Sequence, residues 1–574
     1  MRKGIQRGGG RLLTGLLLLL VGGCGTEHYR KSADKEAYQL VAQKAGQVPN
    51  MDPRFTIDQT NQVTLEGLPR VETVEEFLGT AGSSERGAAV LSLGKALELG
   101  VQHSRLYQNN KEQLYLAALD LSLSRHAFAP LFSAPSGARY GGNTAQVRTF
   151  EPDPANPGQF RPVYSDAIVD EHRIGANTGI QVDWLIRDLG RISAAFTLDF
   201  TRFLTGDARW AANSELAATF TRPLLRNAGF KREQESLTQA ERSLLYQVRD
   251  FTRFRKTFSV DVAAAYYGVL GNRDQARNAY VKLLSSRKTA ERTRALAEEG
   301  RTTQSDLGRL EQQELSAEGS WINAVRLYKR SLDDFKILLG LPVEMSLVLD
   351  DRELTELRIQ HPHINVEDSI RVALEARLDY QNERDQFDDT VRRLALAADG
   401  LKMRVDLVAS GSIGTAGPVD NTFPAPSKRN AQWGAGLAIN PPLDRKAERN
   451  TYRSALISQE RAGRAFAQRR DEIELQVRES WRTLEQAKRT YEISELGVKT
   501  AERRGEEQDL LAELGRAKAQ DQVDAQNDLA SSRNDRTQAL VAHTIARLQF
   551  WNNMGILYIK DSGQWEEVKD GITQ

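Results

Sequence analysis

Two long blocks of this 574-residue chain contain no proline, residues 224–341 and residues 443–574, although its 17 prolines have an average spacing of about 34 residues. Proline breaks a helix by removing a backbone donor and clashing with the preceding turn, so blocks of this length leave room for very long helices. The apolar pattern inside them agrees. Leu237, Ala240, Leu244, Val248, Phe251, Phe254, Phe258, Val262, Ala265 and Val269 are spaced by threes and fours, the stripe of a coiled-coil-like helix. As one helix, the segment from about Gly229 to Gly300 would be roughly 105 Å long. It turns at Gly300 and returns to Gly340, and residues 445–515 and 521–554 read as a second such hairpin.

The two hairpins read as copies of one unit. Glu298-Glu299-Gly300-Arg301 and Glu513-Leu514-Gly515-Arg516 lie 215 residues apart, and the same offset carries Asp306 onto Asp521, Phe335 onto Phe550 and Gly340 onto Gly555. A proline-led turn opens each block, Arg222-Pro223-Leu224-Leu225-Arg226 and Pro441-Pro442-Leu443-Asp444-Arg445. Further upstream, Ala96-Leu97-Glu98 and Ala373-Leu374-Glu375 each read as a helix start.

Before each hairpin the period changes to two. Ile192, Ala194, Phe196, Leu198 and Phe200 alternate with more polar residues, as do Leu216, Ala218 and Phe220. Val405, Leu407, Ala409, Gly411 and Ile413 repeat the pattern, followed by Trp433, Ala435, Leu437 and Ile439. Each unit therefore offers two strands of about ten residues, long enough for a tilted membrane strand. A half-buried soluble sheet would show the same alternation. Four strands cannot close a membrane barrel alone, and open edges are forbidden in lipid, so membrane strands require several chains; three would supply twelve. The Pro/Gly-rich stretch near 130–178 reads as an insertion in the first unit, with a loop at Pro152–Pro162.

The N-terminus reads as an export signal. Arg2, Lys3, Arg7 and Arg11 precede an apolar run from Leu12 to Val21, followed by Gly22, Gly23 and the chain's one cysteine, Cys24. Val-Gly-Gly-Cys resembles the bacterial lipobox, in which the cysteine is lipid-modified and becomes the mature N-terminus. Gly25 stands where the usual inner-membrane retention signal would have Asp.

In order and spacing, residues 86–557 resemble the TolC-type outer-membrane efflux proteins, as a lipoprotein member. The resemblance rests on the duplicated strand–strand–long-hairpin plan, the proline-led turns and a Gly-x5-Asp tip in each unit. It implies a mainly α chain with a small β part, whose units assemble as a homotrimer with a twelve-stranded membrane β-barrel joined to a periplasmic α-helical barrel. It further implies a periplasmic adaptor protein and an inner-membrane pump as partners, an outer-membrane lipid setting, and export of drugs, metals or proteins. The hairpin tips, Gly300-Arg301 and Gly515-Arg516, would form the inner entrance. Asp521 and Asp524 match the family's aspartate ring, and Asp306 matches a latching aspartate. Ala512 and Ala517 replace the expected Tyr and Arg of the closing latch, leaving Arg516 as a substitute.

The expected organisation is a signal peptide (1–23), a lipid-anchored tether (24–85) and a first repeat (86–342; strands near 191–222, hairpin 229–340). A linker (343–365) leads to the second repeat (366–557; strands near 404–440, hairpin 445–555) and a tail (558–574). Lys plus Arg total 78 and Asp plus Glu 77, a balance that speaks against a nucleic-acid binder. No phosphate-binding loop, nucleophile elbow or zinc-protease helix is present, so no enzymatic activity, cofactor or metal is expected; His361-Pro362-His363 reads as part of the linker. Two rival readings are a periplasmic adaptor lipoprotein, which would carry one hairpin, and a coiled-coil envelope scaffold without a pore, which would not need the strands.

Overall fold

The computed structural model describes residues 25–58, 65–155, 160–205, 210–362, 364–415, 425–514 and 516–566. Cys24 and Gly515 lie outside them. Two compact units emerge, one formed by residues 1–119, 243–386 and 463–574, the other by 120–242 and 387–462.

Helices build the first unit and also contribute residues to the second. In chain order the helices are α1 (Thr26–Ala45), α2 (Leu93–His103), α3 (Arg105–His126), α4 (Lys231–Glu298), α5 (Gln304–Leu339), α6 (Val366–Ala376), α7 (Leu378–Gly400), α8 (Lys446–Glu513) and α9 (Ala519–Met554). Helices α4 and α8 both have 68 residues, and α5 and α9 both have 36. Their bounds coincide at the 215-residue offset. In the apolar stripe of α4, Leu237, Leu244, Val248, Phe251, Phe258, Val262 and Val269 are buried. Phe258, Tyr266 and Phe335 anchor the core of the first hairpin, with the Tyr266 hydroxyl donating to the Leu91 carbonyl at 3.0 Å. Ile473, Val477, Leu484, Leu548 and Phe550 do the same for the second.

Two segments expected as connections carry structure. Strand β1 (Ala89–Leu91) pairs in parallel with β7 (Leu347–Leu349), so the 343–365 linker contributes a strand. The 24–85 tether includes α1, which buries Ala37, Leu40 and Val41, and a 3-10 segment (Glu76–Glu85) that buries Phe77 and Leu78. Its Asn50 amide donates to the Ile559 carbonyl at 2.7 Å, and Glu85 accepts from Tyr328 and Lys329.

The long hairpins end on glycines with left-handed backbone, Gly340 (φ 79°) and Gly555 (φ 80°). A Cβ on Gly340 would overlap the His103 carbonyl, and one on Gly555 would crowd the Ala376–Arg377 peptide. Both therefore fit against the bend between two successive helices. Gly340→Ala is expected to cost at least about 1–3 kcal/mol, since strained φ and a backbone clash add. A lowered thermal midpoint of the purified protein checks this.

The second unit holds a sheet of β2 (Leu131–Ser133), β3 (Ser136–Pro152), β4 (Phe160–Ile186), β5 (Gly190–Phe203), β6 (Trp210–Pro223), β8 (Arg404–Gly414) and β9 (Ala431–Asn440). The order is β2-β4-β5-β6-β8-β9, with β3 also on β4, and every pairing is antiparallel. This corrects the expected strand count. The 130–178 insertion supplies β2, β3 and most of β4, so the sheet is seven-stranded rather than four-stranded.

Candidate functional site

The register divides the sheet into two faces. On one lie Trp184, Val182, Ile180 and Ala176 of β4, with Ile192, Ala194, Phe196 and Phe200 of β5 opposite them. The same face continues through Phe220, Ala218 and Leu216 of β6, Leu407 and Ala409 of β8, and Leu437 and Ala435 of β9. The other face carries Asp183, Gln181, Asn177, Ser193, Thr197, Asp199, Thr219, Glu215, Ser410 and Gln432. The apolar face is uncovered: Trp433 is 87% exposed, Leu437 59% and Ile180 61%. In water such a face is normally packed against a second layer. In a membrane barrel it is the lipid face, and the polar face lines the lumen. Among the described residues no helix is long and apolar enough to cross a membrane.

The second feature is the pair of hairpin tips. At the first, Gly300 has φ 74° and the Arg301 N–H donates to the Leu296 carbonyl at 2.8 Å. Thr303 then caps α5, its hydroxyl accepting from the Asp306 N–H at 3.1 Å and donating to the Asp306 carboxylate at 2.7 Å. Asp306 is thus held by its own helix start. At the second tip the Arg516 N–H donates to the Leu511 carbonyl at 2.9 Å. Lys518 occupies the capping position with no side-chain bond to the helix, so Asp521 lacks the hydroxyl partner that Asp306 has. Asp524 accepts from Gln520 at 2.9 Å.

Within one chain the tips border a cavity of about 820 Å³, lined by Arg292, Arg301, Asp306, Arg309, Asp509 and Lys518 among others. Asp306 and Arg301 belong to it, whereas Asp521, Asp524 and Arg516 are outside its lining. Both ring candidates are half-buried on α9. Two polar ties at this end were not singled out by the sequence pattern. Arg292 of α4 donates to the Ala512 carbonyl of α8 at 2.8 Å, and Arg504 pairs with Asp528. Only spacing from the tips could have pointed to them, since lone arginines on a long helix carry no motif.

No protein-family model matches the sequence, and no curated protein matches it either. Solved structures do. The outer-membrane channel OprN superimposes with TM-score 0.56 at 13% identity, covering 88% of this chain and 98% of its own. The Campylobacter jejuni CmeC outer membrane channel gives 0.58 at 10% identity, covering 88% and 94%. The Neisseria gonorrhoeae MtrE outer membrane channel, in its open state, gives 0.55 at 13% identity, covering 88% and 98%. The chain has the TolC-type channel fold. The long helices also expose apolar residues, among them Leu475, Ile493, Leu496 and Leu510 of α8.

Proposed function

We propose that this protein is the outer-membrane channel of a tripartite efflux or type I secretion system. Two copies of one strand-and-hairpin unit make up the chain, and three chains close a membrane barrel joined to a periplasmic helical tube. Cys24 carries the lipid anchor, a periplasmic adaptor and an inner-membrane pump dock at the tip end, and drugs, metals or proteins leave through the bore. The observation that carries this reading is the two-faced sheet, apolar and uncovered on one side and polar on the other, in a chain with the channel fold. Purified protein in planar bilayers should conduct ions as a three-chain particle by native mass spectrometry. A pore-free scaffold gives no current, and that result would overturn the reading.

At the tip, Asp521 and Asp524 are three residues apart and so share a helix face. In three copies they would set six carboxylates round the entrance, with Asp306 on the adjoining hairpin and Arg516 as a latch. Such a ring favours cations and is bridged by multivalent ones. Asp521→Asn combined with Asp524→Asn is expected to shift the reversal potential in a salt gradient towards weaker cation selectivity. Block by a trivalent cation should weaken in the same recordings, with assembly unchanged. Unaltered potential and block would place both acids outside the bore.

A further inference from the structure

The added strands change what closes the barrel. Strands β2 and β3 follow one another along the same flank of β4, pairing with 181–183 and then with 160–178. The seven strands therefore occupy six positions across the sheet. Strand β4 is no accessory to this sheet: it pairs with β5 without a break from Arg173 to Ile186.

Its chemistry is that of its neighbours. On the apolar face of β4 the residues run Ile174, Ala176, Thr178, Ile180, Val182, Trp184, eleven residues from first to last. That spans about 33 Å along the strand, or about 25 Å of height at the usual barrel tilt, the height of an outer-membrane apolar band. Aromatic residues mark both ends. Trp184 and Phe220 lie across Ile192 at the end nearer α4, while Tyr140 and Trp210 flank Ile174 and Arg202 at the other. Beyond that end the same face turns to His172 and Asp170, and β4 pairs with β3 alone over residues 160–172. The open edges of the sheet, among the described residues, are β9 on one side and β2–β3 on the other.

We infer that β2–β3 and β4 are barrel staves, so that three copies close an eighteen-stranded barrel in which β9 of each copy pairs with the β2–β3 edge of the next. The inference rests on the three-chain channel reading and departs from the twelve strands that the family resemblance implies. An unpaired edge cannot stand in lipid, and here the edge to be covered is β2–β3, because β4 already occupies the flank of β5. Since barrel diameter grows roughly linearly with strand number, the bore at membrane level is about half as wide again as with twelve strands. The 160–172 stretch then continues out of the membrane as a two-stranded projection of about 40 Å.

Electron cryomicroscopy of the full-length particle in lipid nanodiscs tests this by counting strands at membrane level. Three chains with eighteen strands is the expected result. Three chains with twelve strands overturns the inference while leaving the channel reading intact, and a particle without a barrel overturns both. A photoreactive benzophenone amino acid in place of the exposed Trp433 on β9 gives an independent measure. Its cross-link should map to residues 131–152 of another copy; mapping to 190–203 of another copy would mean that β4 is displaced from the barrel.

Discussion

Replacing Asp379 by alanine is expected to destabilise the helical unit by about 3–5 kcal/mol, the usual result of removing one partner from a buried ionic cluster. Three guanidinium groups converge on this carboxylate. Arg377 binds both of its oxygens, at 3.1 and 2.7 Å, Arg469 donates at 2.8 Å, and Arg253 lies at 3.4 Å. Burial alone would raise the pKa of Asp379, but the Arg377 hydrogen bonds and the three positive charges outweigh it and hold the group at about 2. Arg377 is only 1% exposed and cannot shed its proton, so without the carboxylate its charge stays buried and unpaired. Asp379→Asn keeps one acceptor oxygen and should lose less. Because the folded pKa lies below the unfolded value of about 3.9, the stabilisation is complete above that pH and is lost only as pH falls towards 2. Thermal midpoints of wild type, Asp379→Asn and Asp379→Ala at neutral pH should therefore fall in that order. An unchanged midpoint in the alanine variant would show that Glu472, which also pairs with Arg469 at 3.2 Å, suffices.

The cluster belongs to the part of the fold that the sequence does not spell out. Long helices are legible because absence of proline and a three-and-four apolar spacing are local signals, and the 215-residue offset repeats them. Arg377 and Asp379 sit at the α6–α7 bend, and the other two arginines on Asp379 come from α4 and α8, 126 and 90 residues away; nothing local marks such a meeting. The hairpin β3–β4 was hidden for another reason. Glycines at 137, 141, 142, 175 and 179 and prolines at 152 and 162 lower strand propensity and imitate a loop. Yet Pro162 lies where β4 pairs with β3 only, so one flank of the strand demands no backbone donor. The alternation of Ile174, Ile180, Val182 and Trp184 with Gly175, Gln181 and Asp183 was present in the sequence all along. At the candidate gate the sequence located the turns, because Gly300 and its counterpart repeat a motif. Local chemistry then separates Asp306, held by Thr303, from Asp521, which follows Lys518.

Acid should loosen the second hairpin well before it reaches Asp379. His543 of α9 is 1% exposed, its ring nitrogen 3.4 Å from that of His361, which in turn contacts Glu485 of α8 at 2.8 Å. Burial first, then the neighbouring His361, Arg547 and Lys488, lower the His543 pKa from 6.5 to about 4; Glu485 opposes this. A histidine with a depressed folded pKa takes up its proton more readily when unfolded. Its contribution is therefore fully present above about pH 6.5 and is lost as pH falls from there to about 4, a total of roughly 3 kcal/mol if the whole shift is realised. This window lies above that of Asp379, so the two are separable by titration. The wild-type thermal midpoint should drop between pH 6.5 and 4.5, and His543→Gln, which carries no proton to gain, should show a flatter profile over the same range. Parallel profiles would mean that the acid response comes from carboxylates elsewhere. Protonation at His543 also adds a positive charge beside those of Arg547 and Lys488, at a joint that includes His361 from the segment between the two hairpins. Loss of the His361–His543 contact, followed by the imidazole resonances across the same pH range, would tie the lowered midpoint to this one joint.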